Sequence, residues 1–198
     1  TIVTKISAKN QNLIRSYHHF DCTPVNLDQI YHDMQHDKIE HYKIATHANS
    51  TLDALRVHLL SRQHANLSAH GMGADGLCSR LLAKLAHNRF IYTIDNTTAQ
   101  SDKPDTFSDV PRLSTFKDYN IDVINSMPSI YGLIGDPIKL SPSPAFHNQA
   151  FRQHEMNACY LSFRIAAHEL TTFLQYQSLL PLAGISITIP HKRTITAL

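Results

Sequence analysis

The sequence has no apolar run approaching the roughly 18 residues that cross a bilayer. It also has no basic block of about five or more residues. Neither a membrane partner nor a nucleic-acid partner is therefore expected, and a net charge of only +2 agrees. Cysteine is scarce: Cys22, Cys78 and Cys159 are odd in number and widely spaced, which excludes a disulfide framework and a zinc-ribbon spacing. No signal-peptide pattern opens the chain, and a reducing, cytoplasmic compartment is the expectation. What is present is ordinary for a globular protein, with 42% hydrophobic and 17% charged residues. A length of 198 residues suits one medium domain or two small ones. Thr1 lies within what reads as a strand and Leu198 within what reads as a helix, so both ends are expected to be cut.

The first hundred residues alternate strand-like and helix-like segments. Strands are expected over 12–18, 41–46, 65–70 and 89–94, and helices over 26–36, 50–62 and from about 77. Asn26 with Gln29 has capping-box spacing, and Leu52, Leu55, Leu59 and Leu60 are expected on one helix face. This β-α-β order is that of a parallel sheet with helical crossovers. Residues 101–128 are irregular and Pro-containing, with one helix expected over 112–119. A second α/β pattern starts at Ile130, where IYGLIG reads as a strand and Ser143 as the N-cap of a helix with Pro144 first. Cys159, Leu161, Phe163 and Ile165 alternate toward one face. A helix over 168–179 and a strand over 184–189 follow, with Ile185, Ile187 and Ile189 on one side. The expected division is 1–121, a linker at 122–129, and 130–198.

Chemistry in the first half centres on His18 and Lys43, read at the C-terminal ends of their strands, where parallel α/β folds place their sites. Lys43, between Tyr42 and Ile44, is costly to bury as an ammonium, so its pKa should fall and its amine become a Schiff-base nucleophile. A nearby imidazole can shuttle protons. Among 14 histidines, His32 and His36 also have the i, i+4 spacing of two metal ligands on a helix, although no third ligand is evident.

SYHHFDCTP resembles the S-x-H-x-F-x-x-T-P segment of type I 3-dehydroquinate dehydratases, YKIAT their K-I-A strand, and GMGADGLCSRL their G-M-G-x-x-G-x-x-S-R segment. The resemblance implies His18 as the catalytic histidine, Lys43 as the Schiff-base lysine and Arg80 as the substrate-carboxylate arginine, a role that suits a guanidinium fork. It implies the C-terminal half of a (β/α)8 barrel, and dehydration of 3-dehydroquinate to 3-dehydroshikimate without metal or cofactor. The substrate loop is not legible, and Gln100 and Asp109 are both open as counterparts.

GLIGDPIKLSPSPAFHN resembles the opening of shikimate dehydrogenases, and GISITIPHK their G-x-N-V-T-x-P-x-K. Ser141, Ser143 and Thr188 then fall on substrate-binding positions and Lys192 on the catalytic lysine, while Ser186 stands where that family has asparagine. Two hydroxyls beside a helix start suit an anion. The resemblance implies the start of an α/β substrate-binding domain. It also implies NADP-dependent reduction of 3-dehydroshikimate to shikimate, with the NADP domain beyond Leu198 and no dinucleotide site assigned within the chain. Together the two resemblances imply a bifunctional shikimate-pathway enzyme of aromatic amino acid biosynthesis, with small-molecule substrates as partners. The alternative is an incomplete, inactive piece that needs a complementary chain or a second copy.

Overall fold

The computed structural model describes residues 13–86, 88–95, 110–125 and 128–197. The first unit runs β1 (Ile14–His19), α1 (Leu27–Asp33), β2 (His41–His47), α2 (Thr51–Gln63), β3 (Leu67–Met72) and α3 (Leu77–Leu81), which continues as a 3-10 turn over Leu82–Leu85. After α4 (Leu113–Asp118), the second unit runs β4 (Ser129–Gly135), α5 (Ser143–Gln153), β5 (Ala158–Arg164), α6 (Leu170–Gln177) and β6 (Leu182–Ile187). Each unit holds a three-stranded parallel sheet, ordered β1-β2-β3 and β5-β4-β6. Such sheets need helical crossovers, and the alternating pattern supplies them.

Side-chain alternation gives the first sheet two unlike faces. Tyr42, Ile44, Leu67 and Ala69 pack under α1 and α2 with Leu27, Tyr31, Val57 and Leu60. The opposite face carries Ser16, His18, His41, Lys43, Ser68 and His70, aligned by the strand register. The expected single apolar face of α2 is instead two. Leu55 joins one core cluster and Leu60 another, because the helix is wedged between the sheet and the rest of the molecule. Ser50 caps this helix by accepting from the Asp53 N–H at 3.3 Å.

Three local expectations are corrected. The Asn26/Gln29 capping box does not form: Asn26 makes no side-chain cap bond, and Gln29 donates instead to Asp33 at 2.8 Å. Residues 89–94 do not join the ladder, and only Ile94 bridges, to Arg112. Side chains hold this segment beside β3: Asn88 accepts from the Ala69 N–H, and Ser68 Oγ accepts from the Arg89 N–H. In the second unit the N-cap position falls to Pro142, and Ser143 is the first helical residue.

The expected alternation in β5 is present. Cys159, Leu161, Phe163 and Ile165 are all buried in one core. That core also contains Leu55 and Leu82 from the first unit and Ile121 and Ile124 from the segment between them. Lys84 donates to the Ile121 and Ile124 carbonyls, while Arg152 pairs with Asp122 at 2.8 Å. The junction is thus held from both sides.

Candidate active site

Lys43 is the third residue of β2, in register with Ser16 and Ser68. It therefore sits within the strand rather than at its C-terminal end, which corrects the sequence expectation. His18 lies two residues further along the polar face, level with Ala45 and His70. Half-burial, and after it the Arg80 charge, lower the Lys43 pKa. His18 belongs to an exposed edge strand, yet desolvation, then the Lys43 charge, lower its pKa as well. The Arg80 charge thus acts on Lys43, and the Lys43 charge on His18. This arrangement biases Lys43 toward a free amine and His18 toward a neutral imidazole.

Two further residues complete this face, and sequence reading missed both. The Lys43 Nζ lies 3.8 Å from the centroid of the Tyr92 ring. Buried His70 bonds the Phe90 carbonyl through Nε2 at 3.0 Å, and desolvation, then Arg80, push its pKa down to about 3. Tyr92 stood in the expected strand 89–94, where nothing marked it as facing the lysine.

Arg80 is buried on α3. Its Nε donates to the Gly71 carbonyl at 3.0 Å and its Nη1 to the Tyr92 carbonyl at 3.4 Å. The turn before it is closely packed: a Cβ on Gly76 would lie 2.5 Å from the Gly71 carbonyl carbon. Gly71, Gly73 and Gly76 have the G-x-G-x-x-G spacing, which sequence reading overlooked. The turn uses its donors on itself. The Gly71 N–H bonds Ser79 Oγ, the Gly76 N–H bonds the Gly73 carbonyl, and the Leu77 N–H bonds the Ala74 carbonyl. Three of the amides that could cradle a pyrophosphate are therefore already engaged.

In the second unit, Ser141 and Ser143 follow β4. Ser141 Oγ donates to Ser143 Oγ at 3.2 Å and accepts from the Ser143 N–H at 3.3 Å. Thr188 follows β6, the neighbour of β4, and its N–H bonds the Ile134 carbonyl at 3.0 Å. A Cβ on Gly135 would overlap Thr188 Cγ2 and come 2.7 Å from the Ile189 carbonyl, so only glycine lets these two strand exits meet. Lys192 lies four residues beyond Thr188 and is exposed. Ile187 is half-buried, whereas Ile189, expected on the same face, is exposed because β6 ends at Ile187.

A cavity of about 1250 Å³ opens between the units, lined by Asp75 and Arg80 on one side and by Ser141, Asn148 and Arg164 on the other. Lys43, His18, Thr188 and Lys192 are not among its lining residues. The metal expectation lacks its geometry: α1 ends at Asp33, so His36 shares no helix face with His32. Among the described residues no group of three metal-ligating side chains occurs, and no helix is long and apolar enough to cross a membrane. Gln100 and Asp109 lie outside the described residues.

Two parallel α/β units define the class, the first carrying amine, imidazole and guanidinium in one charged series. The chain belongs to the type I 3-dehydroquinase family, whose model matches residues 1–105. Residues 133–198 match the shikimate dehydrogenase substrate binding domain. The shikimate biosynthesis protein AroDE of Chlamydia pneumoniae is 34% identical over 92% of this chain and 37% of its own length. The chloroplastic bifunctional 3-dehydroquinate dehydratase/shikimate dehydrogenase of Arabidopsis thaliana is 33% identical over 91% of this chain and 29% of its own. The shikimate dehydrogenase (NADP(+)) of Pelobacter propionicus is 42% identical over 37% of this chain and 26% of its own. The chain thus spans well under half the length of these relatives.

Proposed function

We propose that this chain is part of a bifunctional shikimate-pathway enzyme that dehydrates 3-dehydroquinate and reduces the product, 3-dehydroshikimate, to shikimate. The observation that carries the dehydratase reading is the shared polar face of β1-β2-β3, which places His18 two residues along from Lys43, with burial and then the Arg80 charge lowering the Lys43 pKa. A lysine with a depressed pKa attacks the substrate's ring ketone, forming an imine and releasing one water. His18 then takes the proton from the carbon next to the imine and returns a proton to the departing hydroxyl, which leaves as the second water. Hydrolysis of the imine consumes one water, frees Lys43 and yields 3-dehydroshikimate, so one water is lost overall. Arg80 holds the substrate carboxylate through its planar fork. In this reading residues 1–121 belong to the C-terminal half of a (β/α)8 barrel, and 122–129 join them to the dehydrogenase part. The polar face of β1-β2-β3 suits a barrel interior.

In the dehydrogenase part, Ser141, Ser143 and Thr188 hold the substrate, supported by the hydroxyl pair at the start of α5. Lys192 assists proton transfer at the reacting hydroxyl. Relatives named for NADP(+) support that cofactor. Three free thiols suit a reducing, cytoplasmic compartment.

The test is the appearance of the 3-dehydroshikimate enone absorbance when the full polypeptide meets 3-dehydroquinate, and its loss in Lys43→Ala. Turnover that survives Lys43→Ala refutes the assignment.

A further inference from the structure

Arg164 is the last residue of β5, in the second unit, yet its strongest partner lies in the first. Its Nε donates to Asp75 Oδ1 at 2.8 Å, and its Nη2 pairs with Asp75 Oδ2. The Nη2 also reaches the Asn49 carbonyl at 3.4 Å, and the Nη1 lies 3.6 Å from Asp136 Oδ2. Glu169 adds a further negative charge nearby. Asn49 follows β2, Asp75 follows β3 and Asp136 follows β4. One guanidinium therefore joins the C-terminal ends of strands from both sheets, the ends from which Arg80 and Ser141 are presented. Exposed ion pairs usually contribute little. A two-pronged Arg–carboxylate contact within a group of three carboxylates is the exception, because the planar fork fixes direction as well as distance.

Asp75 lies in a turn that cannot move independently of Arg80. Gly76 presses on the Gly71 backbone, Ser79 bonds the Gly71 N–H and the Gly76 carbonyl, and Arg80 Nε bonds the Gly71 carbonyl. Residues 71–80 thus form one bonded block, and Asp75 is its handle toward the second unit. We propose that Arg164 is a positioning residue for the first unit's substrate site, holding the Asp75 turn, and through it Arg80, from across the unit boundary. This rests on the reading of Arg80 as the carboxylate-binding group.

The experiment uses the full polypeptide with Arg164→Ala, Arg164→Lys and the charge exchange Asp75→Arg/Arg164→Asp. Arg164→Ala is expected to raise KM for 3-dehydroquinate about tenfold and to change kcat by less than about twofold. Amide hydrogen exchange should quicken over 71–80 and stay unchanged in β1. Lysine keeps the charge without the fork and should fall between, and the exchanged pair, whose carboxylate at position 164 meets Asp136 and Glu169, should recover only part of the KM. Unchanged KM and unchanged exchange in Arg164→Ala would overturn the proposal. So would a fall in kcat accompanied by faster exchange throughout β1 as well, which marks a general loss of stability. A wild-type polypeptide inert to 3-dehydroquinate is a different failure: it removes the dehydratase reading, and the positioning role with it.

Discussion

The ammonium of Lys43 sits over the face of Tyr92, 3.8 Å from the ring centroid. An aromatic face attracts a cation, so Tyr92 opposes the burial and the Arg80 charge that lower the lysine's pKa. It also offers the same attraction to a protonated imine. Tyr92→Leu should lower the Lys43 pKa further and leave Tyr92→Phe near wild type, read from the pH dependence of Lys43 modification by an amine-selective reagent. A phenylalanine variant that behaves like the leucine variant would show that the ring face is not the cause.

Arg80 reaches the Gly71 and Tyr92 carbonyls through two different guanidinium nitrogens. A lysine ammonium cannot reproduce that directional pattern or a bidentate carboxylate contact. Arg80→Lys should therefore raise KM for 3-dehydroquinate by more than about tenfold while kcat falls less. Equal KM values in steady-state assays would remove Arg80 from the substrate's carboxylate.

Asn148 meets a need of the sheet rather than of the site. β5 is an edge strand, and the Asn148 amide substitutes for a neighbouring strand by accepting from the Tyr160 N–H at 2.8 Å and donating to its carbonyl at 2.9 Å. The Asn148 carbonyl in turn accepts from Asn120 at 2.8 Å. Asn148→Ala strands two buried backbone groups and should destabilise the fold by about 2–4 kcal/mol, measured by urea unfolding. A loss below about 0.5 kcal/mol would mean that the edge is satisfied in another way.

His58 is fully buried with neither ring nitrogen hydrogen-bonded, and burial, then Arg62, push its pKa down to about 3. His70 is depressed to the same value. Because the folded values lie below the ordinary 6.5, the unfolded chain takes up protons first. Stability therefore falls as pH drops from about 6.5 toward 3, by about 3–5 kcal/mol per ring over the whole window. His58→Leu should gain about 1–2 kcal/mol at pH 7 and flatten the acid limb. Chemical denaturation across that pH range decides it, and a leucine variant with the wild-type pH slope would contradict the assignment.

Much of this architecture was legible because it is local. The β-α-β order and the alternation of Cys159, Leu161, Phe163 and Ile165 follow from periodicity. What escaped depends on tertiary placement. Residues 89–94 read as a strand, yet their partners are the Ser68 and His70 side chains, which no periodicity reveals. Tyr92 as the neighbour of Lys43, and Arg164 as the neighbour of Asp75, each join elements far apart in sequence. The glycines of residues 71–76 fit a dinucleotide spacing but serve close backbone packing, a distinction that only the hydrogen bonds make.

The most direct test is borohydride trapping. Reduction of the full polypeptide in the presence of 3-dehydroquinate should attach a substrate-derived mass to the peptide carrying Lys43, and Lys43→Arg should carry none. Turnover of 3-dehydroquinate with no adduct, or with the adduct on another lysine, would contradict Lys43 as the Schiff-base residue.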